Sequence, residues 1–188
     1  NSSLCFASLI NIFGILFSLS LEGQQPVIPV KVGTPMPDIT MDYIWKGVKT
    51  RSRLDIFKGK LVVFDFWYTS CSSCIDEFPK MEQLQKRFEG KIQIILVAGD
   101  SWPNLRKWLA KNKDKMPDLP CIGADTLLSQ LFPHEVLGHK VMIDPQGIVR
   151  VSGATENLTA KKIQDILEDK TVTYVTNNAR FTGKKTIS

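Results

Sequence analysis

A chain of 188 residues with 43% hydrophobic and 23% charged residues has ordinary globular composition and suits one domain with a full hydrophobic core. Its formal net charge of +5 is spread over both ends and most predicted helices, without a basic block interleaved with aromatics, so nucleic acid is not an expected partner. Of four cysteines only Cys71 and Cys74 form a close pair, which excludes a disulfide-stapled mini-protein and points to redox or metal chemistry.

Residues 4–21 are almost wholly apolar or small, matching the apolar region of a signal peptide, and Ser18-Leu19-Ser20 supplies the small-x-small pattern before a cut. Residues 1–23 are therefore read as an export segment that is cleaved; the alternative is an uncleaved span, which needs about 20 apolar residues and would be the only membrane contact. Cys5 precedes the apolar run, so it is not a lipid-modified cysteine and is expected to leave with the segment.

Residues 24–170 read as one domain. Prolines among residues 26–37 give an extended lead-in, and residues 39–45 read as a strand ahead of a turn at Lys46-Gly47, forming a short hairpin or edge pair. Residues 52–57 suggest a short helical turn. Residues 61–67 are an apolar run broken only by Asp65, the pattern of a strand buried on both faces in mid-sheet. Ile75, Phe78, Met81, Leu84 and Phe88 then recur at helical spacing, with Gly90 as the stop, so the cysteines stand at a strand-to-helix junction. Residues 92–98 form a second apolar strand, and strand-helix-strand predicts a right-handed parallel crossover.

Ser101 is placed to cap a helix with Pro103 in its first turn and Leu105, Trp108 and Leu109 on one face. Residues 116–121 read as loop, and a short helix over Leu127, Leu128, Leu131 and Phe132 is stopped by Pro133. Residues 141–143 and 148–151 flank Asp144-Pro145-Gln146-Gly147 as an antiparallel hairpin, and Leu158, Ile163, Ile166 and Leu167 mark a closing amphipathic helix. Residues 171–188 are a polar tail, expected to be a linker, a disordered end or the start of a further region.

The chemistry centres on Cys71 and Cys74. Unpaired N–H groups and the dipole at a helix start lower the pKa of a first-turn cysteine, so Cys71 is the expected thiolate and Cys74 the resolving thiol. Zinc in a structural site wants four ligands, and no second cysteine pair exists; adding one or both of His134 and His139 to the two thiolates is the remaining set for a soft divalent metal. Redox chemistry is the favoured reading, with no metal. Asp65, a carboxylate in an apolar strand, is expected to have a raised pKa if buried, whereas a first-turn acid such as Glu77 is also favoured by the helix dipole alone. Cys121 has no partner near it in sequence and is expected to be a buried or loop thiol.

The order of elements, with Cys-x-x-Cys at the first helix start, resembles the thioredoxin fold: an α/β three-layer sandwich, a central mixed sheet with helices on both faces and an N-terminal strand or hairpin extension. Residues 61–67 look like the thioredoxin strand, with Asp65 at the position of that family's buried, proton-moving carboxylate. Glu77 and Pro79 complete the C-x-x-C-x-x-E-x-P run of the exported TlpA/ResA-like branch, and the likeness spans about residues 31–170. It implies a thiol-disulfide oxidoreductase of the periplasm or cell envelope, with Cys71, Cys74, Asp65 and Glu77 as catalytic residues. It also implies a substrate groove at Trp67, Ser70, Gly138 and His139, with Trp67 suited at least as well to core packing as to substrate contact, a cysteine-containing protein substrate, a redox partner protein and no organic cofactor.

Two departures stand out. Ser70 occupies the place where the family usually has Trp, and Gly138, followed by His139, occupies that of a cis-proline opposite the disulfide. A cis bond not preceding proline costs about 2.5–4 kcal/mol, so a trans peptide is expected there. The altered groove leaves a non-catalytic protein-binding module as the alternative function. A peroxidatic enzyme of this fold is disfavoured: in the pattern P-x-x-x-T-x-x-C, Phe64 stands at the proline and Thr69 lies too close to Cys71.

Overall fold

The computed structural model describes residues 26–154 and 158–170. The predicted export segment and the polar tail lie outside the described residues.

Apolar character on both faces drives β3 (Leu61–Trp67) into the middle of the sheet, where all seven of its residues are buried. It pairs in parallel with the equally buried β4 (Ile92–Ala98), as the strand-helix-strand pattern predicts. The first hairpin comprises β1 (Thr40–Trp45) and β2 (Val48–Arg53), joined through Lys46 and Gly47, both at positive φ. Short β5 (Cys121–Ile122) runs parallel to β4, and β6 (His139–Ile143) pairs antiparallel with both β3 and β7 (Val149–Ala154). One mixed sheet of seven strands results, in the order β2-β1-β5-β4-β3-β6-β7, with β2 along one edge.

Helices cover both faces. Phe78, Met81 and Leu84 of α2 (Phe78–Arg87), Leu105 of α3 (Trp102–Lys111), and Ile163 and Ile166 of α5 (Ala160–Leu167) pack with Leu61, Val63 and Trp67 on one side. Each such buried apolar side chain is worth about 1.5–3 kcal/mol relative to exposure. On the other side, Leu128 and Leu131 of α4 (Leu127–Leu131) meet Val62, Phe64 and Phe66 with Phe57 of a single 3-10 turn.

Three local expectations change. The one helix expected from the cysteines to Phe88 is two: five-residue α1 (Ser72–Asp76), then α2, broken at Glu77. Pro79 explains the break, since it carries no N–H for the helical ladder and sits naturally in a helix's first turn. Residues 52 and 53, expected in a helical turn, finish β2 instead. Cys121, expected in a loop, belongs to β5, a strand too short to leave a periodic signal.

Candidate functional site

Cys71 and Cys74 are joined in a disulfide where β3 gives way to α1. Cys71 occupies the N-cap of α1, and the Cys74 backbone N–H donates to Cys71 Sγ at 3.2 Å, so a thiolate formed at Cys71 meets a donor already in place. Ser73 Oγ lies 3.5 Å from the same sulfur. With α1 only five residues long, these local donors, more than a long helix dipole, stabilise negative charge here.

The segment entering the disulfide is pinned by β4's C-terminal end. Thr69 donates its backbone N–H and its hydroxyl to the two Asp100 oxygens, each at 2.7 Å. The Tyr68 ring lies so close to Gly99 that a Cβ there would sit 2.4 Å from it, so a larger residue would have to displace the ring. Beneath, Trp67 is fully buried and meets Phe78 and Trp108 edge to face at 5.1 and 5.2 Å. Trp67 therefore supports the disulfide from the core, which is one of the two places expected for it, and does not line a substrate groove. Ser70, from the same expected groove, is exposed immediately before Cys71.

Strand alternation puts Asp65 on the same face as Val63 and Trp67, within the layer that holds both cysteines. Across the β3–β6 ladder its register partner is Lys140. Lys140 Nζ lies 2.9 Å from Asp65 Oδ1 and donates to Glu77 Oε2 at 3.0 Å, so one ammonium bridges two carboxylates. The lysine side chain is 1% exposed and Asp65 4%, whereas Glu77 reaches solvent at 29% and has Lys80 4.0 Å away. Burial raises the Asp65 carboxyl above its usual range, and the Lys140 charge holds that rise in check. Burial works to neutralise Lys140, but the charges of Asp65 and Glu77 outweigh it and hold the ammonium above the usual lysine range.

Asp65 and Glu77 are thus brought together through Lys140, a residue absent from the expected site. The signal was present: Lys140 is a charge at the start of an apolar run, as Asp65 is a charge within one, but only the β3–β6 register reveals the pairing.

His139, expected at the groove, is buried on the opposite face of the sheet. Its ring stacks on His134 at 4.5 Å and meets the Phe66 edge at 5.6 Å, and Nε2 lies 3.2 Å from Ser152 Oγ. Burial, with the nearby His134 and Lys140 charges, pushes its pKa down to about 3, so the ring is neutral. Alternation along β6 is the reason: Lys140 faces the disulfide layer, so His139 cannot. No group of three or more His, Cys, Asp or Glu able to hold a metal occurs among the described residues. Gly138 has φ +74, and there is no cis peptide among the described residues. Cys121 is a free, buried thiol that burial pushes up to about 12; the Trp67 indole only partly offsets this, and its Nε1 has no partner in hydrogen-bonding geometry.

The model of the AhpC/TSA family matches residues 32–152, more than half of the chain. The chain belongs to the AhpC/TSA family. Within this AhpC/TSA chain, 70 residues are 36% identical to the thioredoxin-like protein YneN of Bacillus subtilis strain 168; the stretch is 37% of this chain and 39% of YneN, less than two thirds of that relative's length. Among solved structures, the thioredoxin domain of a thiol-disulfide oxidoreductase from Bacteroides vulgatus superposes with a TM-score of 0.54 at 22% identity, over 74% of this chain and 97% of that one. The pneumococcal exposed lipoprotein thioredoxin of Streptococcus pneumoniae strain TIGR4 gives 0.59 at 18% identity, over 71% and 99%. At such identities these likenesses show the fold: this AhpC/TSA chain has the thioredoxin-like architecture its sequence resembles.

Proposed function

We propose that this chain is an exported thiol-disulfide oxidoreductase that exchanges the Cys71–Cys74 disulfide with cysteines of a protein substrate and is reset by a second redox protein. The observation that carries the reading is the disulfide itself, seated at a strand-helix junction with a backbone donor on Cys71 Sγ. In the reducing direction the Cys71 thiolate attacks a substrate disulfide, forming a mixed disulfide and releasing one substrate thiolate. Cys74, losing its proton, then attacks Cys71 Sγ; the Cys71–Cys74 bond forms, the substrate leaves as a dithiol, and two electrons have passed to it. Asp65 and Glu77 are the groups proposed to move the proton. The names of the relatives, among them an exposed lipoprotein, and the apolar run of residues 4–21 support a place in the periplasm or cell envelope.

Disulfide reduction with a dithiol donor tests this. Wild type should be active and Cys71→Ser inactive; equal activity in the two would sink the enzymatic reading. A redox titration of the pair sets the direction of electron flow. One observation favours the alternative, a binding module without turnover: Cys71 is 2% exposed, so a partner's sulfur reaches it only when the covering residues shift. The same assay separates the two readings.

A further inference from the structure

Lys140 is buried, paired with two carboxylates, and unused by the exchange just described. Resolution of the mixed disulfide requires that Cys74 lose a proton inside the protein, on the face where Asp65 lies. A buried carboxylate with a single counter-ion is a poor acceptor, because its protonation strands the cation without a partner in a low-dielectric interior. The Lys140 ammonium does not face that problem. When Asp65 takes up a proton, Lys140 remains paired with Glu77 at 3.0 Å, and the cluster of three passes from one net negative charge to none. Glu77, partly exposed, connects the cluster to solvent.

We propose that Lys140 is a positioning residue for the resolving step: by bridging Asp65 and Glu77 it keeps Asp65 ready to accept the Cys74 proton and leaves no buried charge unpaired once the proton has arrived. This rests on the thiol-disulfide reading above. The charged and titratable groups in play are Asp65 from β3, Lys140 from β6, Glu77 at the α1–α2 break, Lys80 from α2 beside Glu77, and the two thiols. The step balances: Cys74–SH yields its proton to the Asp65 carboxylate, the Cys74 thiolate attacks Cys71 Sγ, and the leaving group departs as a thiolate.

The test uses reduced protein and one equivalent of a small aromatic disulfide, with aryl thiolate release followed by rapid mixing from acid to alkaline pH. The first equivalent released reports attack by Cys71, and the second reports resolution by Cys74. In K140M the second phase should slow about tenfold near neutrality and its midpoint should move alkaline by about one pH unit, since Asp65 without its counter-charge holds its proton longer. Wild-type rates should return at alkaline pH. A K140M profile identical to wild type overturns the proposal, and so does a slowing equal at every pH, which is the mark of a merely structural role. Should K140M not fold, the Asp65→Asn background decides: D65N and D65N/K140M must share one rate and one profile if Lys140 acts through Asp65, and a difference between them overturns it. A wild type with no second phase overturns the exchange reading itself, and this proposal with it.

Discussion

His139 and Lys140 are neighbours in sequence, both buried, on opposite faces of one strand, and in opposite charge states. Lys140 finds two carboxylates within 3.0 Å and keeps its proton; His139 finds an aromatic edge, a second imidazole and a serine hydroxyl, and stays neutral. Depth of burial is similar in the two. What differs is the company, and burial alone therefore does not decide whether a group is charged: a counter-charge within hydrogen-bonding distance does.

The contrast can be broken from its strong side first. Removing one partner of a buried pair typically costs about 3–5 kcal/mol, so K140M should lose about that much in denaturant unfolding at neutral pH. Replacing both partners, as in D65L/K140M, should recover most of it, since no charge is then left alone. In wild type, a lysine held above its usual 10.5 adds stability that is present below that pH and is lost as pH rises through the higher folded value.

The histidine side fails in the opposite direction. A histidine lowered from 6.5 to about 3 contributes stability that is present above pH 6.5 and is lost as pH falls toward 3. Over that window the loss is on the order of 4 kcal/mol, and H139F, which keeps a ring but has no proton to gain, should show a flatter acid limb in unfolding experiments by about that amount. The smallest effect is expected from S152A, which removes the hydroxyl beside His139 Nε2 and should cost about 1 kcal/mol in the same measurement.

Much of this was legible beforehand, for identifiable reasons. β3 and β4 announced themselves because strands buried on both faces are continuous apolar runs, and the spacing of Cys71, Cys74, Glu77 and Pro79 is local in sequence. The Asp65–Lys140–Glu77 bridge was not, because its lysine arrives from a strand 75 residues downstream of Asp65 and the pairing exists only in the β3–β6 register. The role of Asp100 was hidden for the same reason: its contact is with Thr69, across the β3–β4 ends. The face His139 takes is hidden for a related reason: a place opposite the disulfide fixes a position along β6 but not the face, which is settled only once Lys140 is committed to the other side.

The outer strand β2 reads Val48-Lys49-Thr50-Arg51-Ser52-Arg53, with every second residue basic. Among the described residues no strand pairs with its outer side, and such a row of backbone groups is a template onto which an identical edge would otherwise zip. Two copies approaching there would set basic side chains against one another, softened where Arg51 pairs with Asp42 and Arg53 with Asp38 and Asp55, so the charge these carboxylates leave unbalanced deters stacking into fibres at this margin of the described sheet.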